Sequence, residues 1–474
     1  MHGPSSFLLG AIGKFVLFSQ PMCGIVGIFG QSDAATWAVE GLFAQQHRGQ
    51  DACGIASADG NGIRRFRTIG LVREALGQEV LQSLSGMHAI GHVRYPTQGE
   101  PTRENAQPHV FHHKERPRFA LASNGDITNL PALESMLRDR GYRLEGTNDG
   151  EVIAKAIGTW AFDDGLGIEE AIRRWMKEGR GAYSTVLLTP DTLYVFRDPH
   201  GIRPLCLGRA DGARFVASET VALDIVRATY ERHVSPGEIL RFDGDGEQGL
   251  EGYPSPGHHH CIFEHIYFAR PDSIMFGERV FEVRERIGRA LAGEDDVPGD
   301  VVIPIPDSAN FIGHAYAHAR GIPVAFGLVR NHYVGRTFIT PGQAVRDESV
   351  RLKFNPLPGF IEGKRVFLVD DSIVRGTTIR KLVRMMKENG AREVHLRIGS
   401  PPITHSCFYG IDTPQRRKLV AAEREVEEVC RLLEADTLRY LSLEGLRSSV
   451  THPEQYCYAC FTGDYPAGRK DVEE

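Results

Sequence analysis

The sequence predicts an α+β layered domain followed by an α/β domain with a parallel sheet. The chain has 474 residues, enough for two to four domains of roughly 150 residues. In the first half, runs of strands alternate with runs of helices, which is the pattern of sheets packed between helices. In the second half, single strands alternate with single helices, which indicates parallel strands joined by right-handed crossovers.

The first domain is predicted to begin at residue 23 and to end near residue 255, in a loop rich in Gly and Pro. A buried strand over 23–30 ends in glycine, and an amphipathic helix over 34–49 ends at Gly49. Further strands are predicted near 53–58, 62–68, 87–94, 118–125, 183–189, 192–197, 203–208 and 213–218, and further helices near 130–140 and 149–161.

The second domain is predicted over 256–445, with a C-terminal tail over 446–474. The polar stretch 335–358 shows no periodicity, so we expect a functional lid or a disordered loop there. Strands are predicted over 301–306, 323–329, 364–371 and 393–400, and helices over 310–321 and 377–390.

The composition is that of an ordinary globular protein. Apolar residues make up 41% and charged residues 24% of the chain, which excludes a largely disordered chain and a coiled coil. The net charge of -6 provides no basic field for nucleic acid. Since no run reaches the roughly 18 apolar residues of a membrane span, we expect no nucleic-acid or membrane partner and a cytoplasmic location.

Residues 1–22 differ from the rest of the chain. Their apolar run is broken by Lys14, no basic residue precedes it and Gln20-Pro21 follows it, which argues against a secretory signal peptide. Two alternatives are open: a propeptide that is removed, or residues upstream of a true start at Met22. We favour the start at Met22.

The sharpest local signal is the string VFLVDDSIVRGTTIRKLV over 366–383. Its strand delivers Asp370 and Asp371 to the sheet edge at which open α/β sheets bind ligands. The loop 372–378 then opens a helix, whose backbone N–H groups form a cradle for an anion. Carboxylates beside such a cradle suit a phosphorylated sugar with Mg²⁺. The alternative is an ordinary capped helix after a strand.

This string resembles the phosphoribosyl-diphosphate motif of type I phosphoribosyltransferases. Segments 261–280, 302–311, 327–343 and 407–414 extend the resemblance to the amidophosphoribosyltransferase family, which catalyses the first step of de novo purine synthesis. The resemblance implies Mg²⁺ bound by Ser308, Asp370 and Asp371. It implies phosphoribosyl diphosphate bound by Arg330, Tyr333, Arg336, Asp370, Asp371, Ser372, Arg375, Gly376, Thr377 and Thr378.

Cys23 is the candidate nucleophile of the first domain. In isolation it reads as a small buried residue at the edge of a strand. However, Met22–Gly27 is similar to the start of N-terminal-nucleophile glutamine amidotransferases, and this resemblance implies an αββα sandwich over 23–255. In that class the cysteine is the first residue, its thiol attacks the glutamine amide, and its own α-amine, with a pKa of about 8, is the base.

The same resemblance assigns glutamine-binding residues. It implies that Arg94 binds the α-carboxylate as a bidentate fork, that Asp149 binds the α-ammonium, and that Asn124 and the N–H of Gly125 form the oxyanion hole. A surface ion pair for Arg94 and a simple turn for Asn124-Gly125 are the alternatives. The segments that carry this resemblance are 47–57, 91–100, 123–129, 148–157 and 196–205. The chain departs from the family beside the binding positions, at Pro96, Ser123 and Gly150.

Four cysteines are candidate metal ligands. Cys457 and Cys460 form a C-x₂-C pair, and Cys261 and Cys407 lie in family segments. Four thiolates suit Zn²⁺ or a [4Fe–4S] cluster equally, and the resemblance to the iron–sulfur subgroup favours the cluster. We interpret the other cysteines as packing residues (Cys53, Cys206 and Cys430) and the neighbouring histidines as loop residues (His258, His259 and His260).

The resulting hypothesis is a two-site enzyme that converts phosphoribosyl diphosphate, glutamine and water to 5-phosphoribosylamine, glutamate and diphosphate. The resemblance further implies inhibition by purine nucleotides and a homotetramer. A different glutamine-dependent enzyme, such as one that makes an amino sugar, would lack the string at 366–378. A non-catalytic paralogue that binds phosphoribosyl diphosphate or nucleotides as a regulator is the second alternative.

Overall fold

The structure, a computed structural model, describes residues 22–95, 102–332 and 352–470. Its first half contains a seven-stranded and a six-stranded antiparallel sheet. The strands are β1 (Gly24–Phe29), β2 (Ala52–Ala58), β3 (Ile63–Ile69), β4 (His88–Arg94), β5 (His109–His113), β6 (Arg116–Ile127), β7 (Gly181–Leu188), β8 (Leu193–Arg197), β9 (Cys206–Ala210), β10 (Ala213–Ala217), β11 (Thr229–His233), β12 (Ile239–Asp243) and β13 (Gly246–Leu250).

The two sheets pack face to face, and helices cover both outer faces. The strand orders are β11-β9-β10-β1-β4-β2-β3 and β13-β12-β8-β7-β6-β5. Between them, Ile25 and Ile90 of one sheet pack against Val186 and Val195 of the other. The helices are α1 (Ala34–Ala44), α2 (Val72–Ala75), α3 (Gln78–Ser83), α4 (Leu130–Asp139), α5 (Asp149–Gly158), α6 (Ile168–Glu178) and α7 (Thr220–Ile225).

The second half is built on a four-stranded parallel sheet. All strands of this half, inside and outside that sheet, are β14 (His260–Cys261), β15 (Ile274–Met275), β16 (Glu278–Arg279), β17 (Val301–Pro304), β18 (Leu328–Arg330), β19 (Phe354–Pro356), β20 (Arg365–Asp370), β21 (Glu393–Ile398), β22 (Thr437–Tyr440) and β23 (Tyr456–Cys457). Its helices are α8 (Val280–Gly293), α9 (Asn310–Arg320), α10 (Thr377–Glu388), α11 (Val426–Leu432), α12 (Leu443–Arg447) and α13 (Ala459–Thr462).

The parallel sheet has the order β17-β20-β21-β22. Ile287 of α8 and Ile312 of α9 pack with Phe367 on one face, and Leu382 of α10 packs with Leu368 on the other. The α+β and α/β prediction is therefore confirmed. The domain limits 23–255, 256–445 and 446–474 stay predictions.

One predicted strand is confirmed only in part. The segment 323–329 contacts the parallel sheet through a single parallel bridge, from Val324 to Val302 of β17. β18 pairs with β19 as a separate antiparallel ribbon. The apolar run suggested a buried strand, but the Phe326 side chain is 69% exposed.

Two short strands bring the C-terminal tail back to the junction of the halves. β14 pairs in parallel with β23, so that Cys261 lies opposite Cys457. None of the helices in the described ranges combines the length and the apolar character that a membrane crossing requires.

Candidate active sites

The Cys23 thiol lies at the start of β1 and is almost fully buried. Its Sγ donates to the carbonyl oxygen of Tyr95, at 3.7 Å. Burial raises the pKa of the Cys23 thiol to about 11, although the Tyr95 carbonyl contact and Arg94 oppose the rise. The thiol is therefore protonated at neutral pH, and a base must remove its proton before it can attack.

Arg94 and Asp149 converge on the same place as Cys23. Arg94 ends β4 and is 1% exposed, and its charge interacts with both Cys23 and Asp149. Asp149 is the first residue of α5, directly after the cap Asn148, whose side chain accepts from the N–H of Gly150. Burial and the neighbouring Asp126 raise the pKa of the Asp149 carboxyl to about 7.

Asn124 presents a donor with no acceptor. It lies in β6, its side chain is 1% exposed, and its Nδ2 has no hydrogen-bond partner among the described residues. The next residue, Gly125, allows no side chain, because a Cβ there would lie 1.9 Å from the Ala182 oxygen. A buried unpaired donor is unfavourable in the free protein, and it is the arrangement that an oxyanion hole requires.

Gln107, which no sequence motif indicated, connects β6 to the start of α5. Its Oε1 accepts from the Ser123 N–H at 2.8 Å, and its Nε2 donates to Asn148 Oδ1 at 3.2 Å. A Cβ on Gly150 would lie 2.8 Å from the side chains of both Asn148 and Gln107. The absence of a side chain at Gly150 therefore leaves the space that the Gln107 side chain occupies. The hydroxyl of Ser123 hydrogen-bonds Thr185, and Pro96 lies outside the described residues.

A buried ion-pair network, also missed from the sequence, links Cys23 to the second half. Arg48 donates from Nε to the Cys23 carbonyl at 3.2 Å and pairs with Glu264 at 2.8 Å and Glu219 at 2.5 Å. The three charged side chains are 0–1% exposed. The network lowers the pKa of Glu219, chiefly through His47 and Arg48 acting against burial. Arg48 lies within the matching segment HRGQDACGIAS, but that segment indicated no partner for it.

The second site lies at the carboxyl end of β20. Asp371 accepts from the hydroxyls of Ser308 and, at 2.6 Å, Ser372. Burial and Asp371 raise the pKa of the Asp370 carboxyl well above its usual range, and burial raises that of Asp371. The two adjacent carboxyls and the Ser308 hydroxyl therefore form an oxygen-rich group suited to a hard divalent cation.

A tight loop follows these carboxyls and opens α10. Gly376 has φ of 75°, and a Cβ there would lie 2.8 Å from Leu433. Thr377 begins the helix, and the Thr378 hydroxyl is buried without a partner among the described residues. Arg375 is exposed beside this loop. The tight loop before a helix is the geometry expected of an anion cradle, and its role in anion binding stays a prediction.

The predicted diphosphate ligands are only partly described. Arg330 lies at the end of β18 and pairs with Asp307 at 2.5 Å. Tyr333 and Arg336 lie outside the described residues, as does most of the predicted lid. The base of that segment is the ribbon in which Arg330 lies opposite Phe354.

The four predicted cluster cysteines lie near one another and are all free thiols. Burial and then Cys261 raise the pKa of the Cys407 thiol to about 11. Burial and the thiols of Cys261 and Cys407 likewise raise the pKa values of Cys457 and Cys460. Cys261 and Cys407 in turn raise the pKa of the buried Arg203 guanidinium against the effect of burial. Within the described ranges, no three His, Cys, Asp or Glu side chains form a group that could hold a metal ion.

The two sites and the two folds define a glutamine amidotransferase joined to a phosphoribosyltransferase-type domain. The model of a family described as a glutamine amidotransferase domain matches residues 92–224. The amidophosphoribosyltransferase of Methanothermobacter thermautotrophicus is 43% identical over 448 residues, which cover 94% of each chain. The chain belongs to the amidophosphoribosyltransferase family.

Other relatives agree over nearly the whole length. The chloroplastic amidophosphoribosyltransferase 1 of Arabidopsis thaliana is 44% identical over 454 residues, which cover 95% of this chain and 80% of that one. The solved structure of glutamine phosphoribosylpyrophosphate amidotransferase from B. subtilis, complexed with ADP and GMP, has a TM-score of 0.89 at 41% identity. It covers 95% of this chain and 98% of that chain.

Proposed function

We propose that this chain is a glutamine-dependent amidophosphoribosyltransferase that performs the first step of de novo purine synthesis. It hydrolyses glutamine to glutamate and ammonia, and the ammonia displaces diphosphate from phosphoribosyl diphosphate to give 5-phosphoribosylamine. The observation that carries this proposal is identity of 41–45% to amidophosphoribosyltransferases across both halves. The buried group of Cys23, Arg94, Asn124 and Asp149 supports it.

In the glutaminase site, the Cys23 thiol would attack the side-chain amide carbon of glutamine. The α-amine of Cys23 would take the thiol proton and pass it to the departing ammonia. Asn124 Nδ2 would donate to the oxyanion of the tetrahedral intermediate, while Arg94 and Asp149 hold the α-carboxylate and α-ammonium. Water would then release glutamate from the thioester. The α-amine is free only when residues 1–22 are absent from the mature enzyme, which is part of the proposal.

In the transferase site, the loop at 372–378 would hold the 5-phosphate. The side chains of Ser308, Asp370 and Asp371 have the oxygen donors that Mg²⁺ prefers, and bound Mg²⁺ would neutralise charge on the diphosphate. Arg330, Tyr333 and Arg336 would contact the leaving diphosphate and exclude water. Breaking the bond to the anomeric carbon builds positive charge on the sugar, so stabilising the leaving group lowers the barrier.

We further propose that Cys261, Cys407, Cys457 and Cys460 hold a [4Fe–4S] cluster. Three of the four residues are buried and Cys407 is partly buried, their thiols influence one another's pKa, and Arg203 lies beside two of them. A cationic neighbour favours thiolates. Iron and labile sulfide in anaerobically purified protein would support the cluster, and zinc without iron would contradict it.

We also propose purine nucleotides as inhibitors, a homotetramer and a cytoplasmic location. The support for nucleotide binding is the relative that was solved with ADP and GMP. Inhibition of diphosphate release by these nucleotides, and the mass of the native assembly in solution, test the first two proposals.

The decisive experiment measures release of diphosphate from phosphoribosyl diphosphate, with glutamine or with ammonia as the nitrogen donor. Cys23→Ala should abolish the glutamine-dependent reaction and keep the ammonia-dependent one, because only the first needs the thiol. Asp371→Ala should lose both, because both need the cation. Unchanged glutamine-dependent turnover in Cys23→Ala would contradict the mechanism, and mass spectrometry of active enzyme should find Cys23 as its first residue.

A further inference from the structure

The last residues of the described chain reach the glutamine site. Lys470 Nζ lies 2.6 Å from Asp126 Oδ2, and the two side chains are only 18% and 9% exposed. Asp126 lies in β6, two residues after Asn124. Side chains two apart in a strand point to the same face of the sheet. The ammonium of Lys470 therefore lies on the face that carries the proposed oxyanion donor.

The segment that carries Lys470 is fixed to the loop that follows Cys407. The Tyr409 hydroxyl donates to the Gly468 carbonyl at 2.8 Å and accepts from the Ala467 N–H at 2.9 Å. The Tyr465 hydroxyl donates to the Ser406 carbonyl at 2.6 Å. These bonds place the backbone just before Lys470, so that its position does not depend on its ion pair alone.

The same loop also contacts β6, the strand that carries Asn124 and Gly125. A Cβ on Gly410 would lie 3.3 Å from the Cα of Gly125, so the two backbones are in close contact. The loop at Gly410 and the segment that carries Lys470 thus meet β6 at two neighbouring residues, Gly125 through backbone and Asp126 through charge.

Two carboxyls lie close together at this point, and only one of them is assigned to the substrate. Asp126 acts with burial to raise the pKa of Asp149, and Lys470 acts against this rise. Without the charge of Lys470 beside Asp126, the two carboxylates would repel each other more strongly, and the pKa of Asp149 would rise further. Asp149 would then be a weaker partner for an ammonium group.

We propose that Lys470 is a positioning residue of the glutamine site, which neutralises Asp126 and so reserves the Asp149 carboxylate for the α-ammonium of glutamine. This inference rests on the proposed glutaminase function. It gives the C-terminal segment a role in glutamine binding, although that segment lies outside the glutaminase half in sequence.

The test compares KM for glutamine with ammonia-dependent activity in the full, cluster-loaded enzyme. At about pH 6, below the pKa of Asp149 of about 7, Lys470→Met, which keeps the aliphatic stem, should raise KM for glutamine roughly tenfold, the factor that corresponds to one pKa unit. Ammonia-dependent turnover should stay unchanged, because the transferase site is intact. Lys470→Arg should keep KM near that of wild type, and Lys418→Met, at an exposed lysine, should change nothing.

A second substitution distinguishes a role of the Lys470 charge from a merely structural role of the Lys470 side chain. Asp126→Asn in the Lys470→Met background removes the surplus negative charge and should return KM to within about threefold of wild type. An unchanged or lowered KM in Lys470→Met, or a double variant that is no better than Lys470→Met, would overturn the inference and leave the proposed function standing. Wild-type enzyme without glutamine-dependent diphosphate release would overturn both.

Discussion

At the scale of single residues, burial sets the protonation of the glutamine site. The carboxyl of Asp149 titrates near neutral pH because it is desolvated and faces Asp126. It is neutral below its pKa of about 7 and negative above it. Only the negative form would pair with the α-ammonium of glutamine in the role proposed for Asp149.

We therefore expect KM for glutamine to fall as the pH rises through about 7 and to level off above it. Asp149→Asn should raise KM and remove this pH dependence. Glutamate release, measured over this pH range in both proteins, checks the prediction. A KM of the wild-type enzyme that does not change with pH would contradict it.

Gly150 is the residue at which the structure explains a departure from the family. A side chain there meets the side chains of Asn148 and Gln107, so Gly150→Ser displaces at least one of them, and Asn148 is the cap directly before Asp149. We expect KM for glutamine to rise roughly tenfold, as for a loss of about 1.4 kcal/mol of binding.

The matched control is Gly249→Ser, because a Cβ on Gly249 meets nothing within 4 Å. Steady-state kinetics with glutamine should separate the two variants. Equal KM values in Gly150→Ser and wild type would show that the contact between residues 107 and 150 does not affect glutamine binding.

At the scale of elements, the turn after α1 is joined to the second half by Arg48. Arg48→Met removes the guanidinium that lies 2.8 Å from the buried Glu264 and leaves Arg203, at 3.8 Å, as its remaining ion-pair partner. Removal of one partner from a buried ion pair costs about 3–5 kcal/mol, so we expect a clear fall in the free energy of unfolding. Denaturant unfolding monitored by fluorescence provides the measurement.

The exposed pair of Arg73 and Glu40 is the control for Arg48. Arg73→Met should cost less than about 1 kcal/mol, because solvent screens an exposed pair. Similar losses in the two variants would mean that the Arg48 network does not behave as a buried one.

The elements with a clear periodicity were predictable from the sequence, and those held by distant contacts were not. The strand at 364–371 and the helix at 377–390 appear as β20 and α10, because a short apolar run and a helical apolar period are both local signals. The run 323–329 forms only one bridge to the parallel sheet and then enters β18, because an apolar run does not reveal which neighbour it pairs with. Gln107, Arg48 and Lys470 act through partners 16 to 344 residues away, which no local pattern encodes.

At the scale of the whole molecule, the two halves share a hydrophobic core. Ala182 and Ile202 of the first half are buried in the same cluster as Cys261, Phe408 and Tyr456 of the second. We expect residues 23–255 expressed alone to expose this surface and to aggregate. A soluble, monomeric fragment with the glutaminase rate of the full enzyme would contradict this, and the full chain expressed in parallel is the control.

The contact of Arg48 with both the Cys23 carbonyl and Glu264 has a consequence for the exchange of domains between related enzymes. A hybrid that joined a foreign first half lacking Arg48 to the present second half would bury Glu264 without the guanidinium that lies 2.8 Å from it. The other ion-pair partner of Glu264, Arg203 at 3.8 Å, also comes from the first half. Whether two such halves are compatible therefore depends on the few charged side chains where the halves meet. A stable hybrid requires an arginine from the first half and a glutamate from the second at the positions of Arg48 and Glu264.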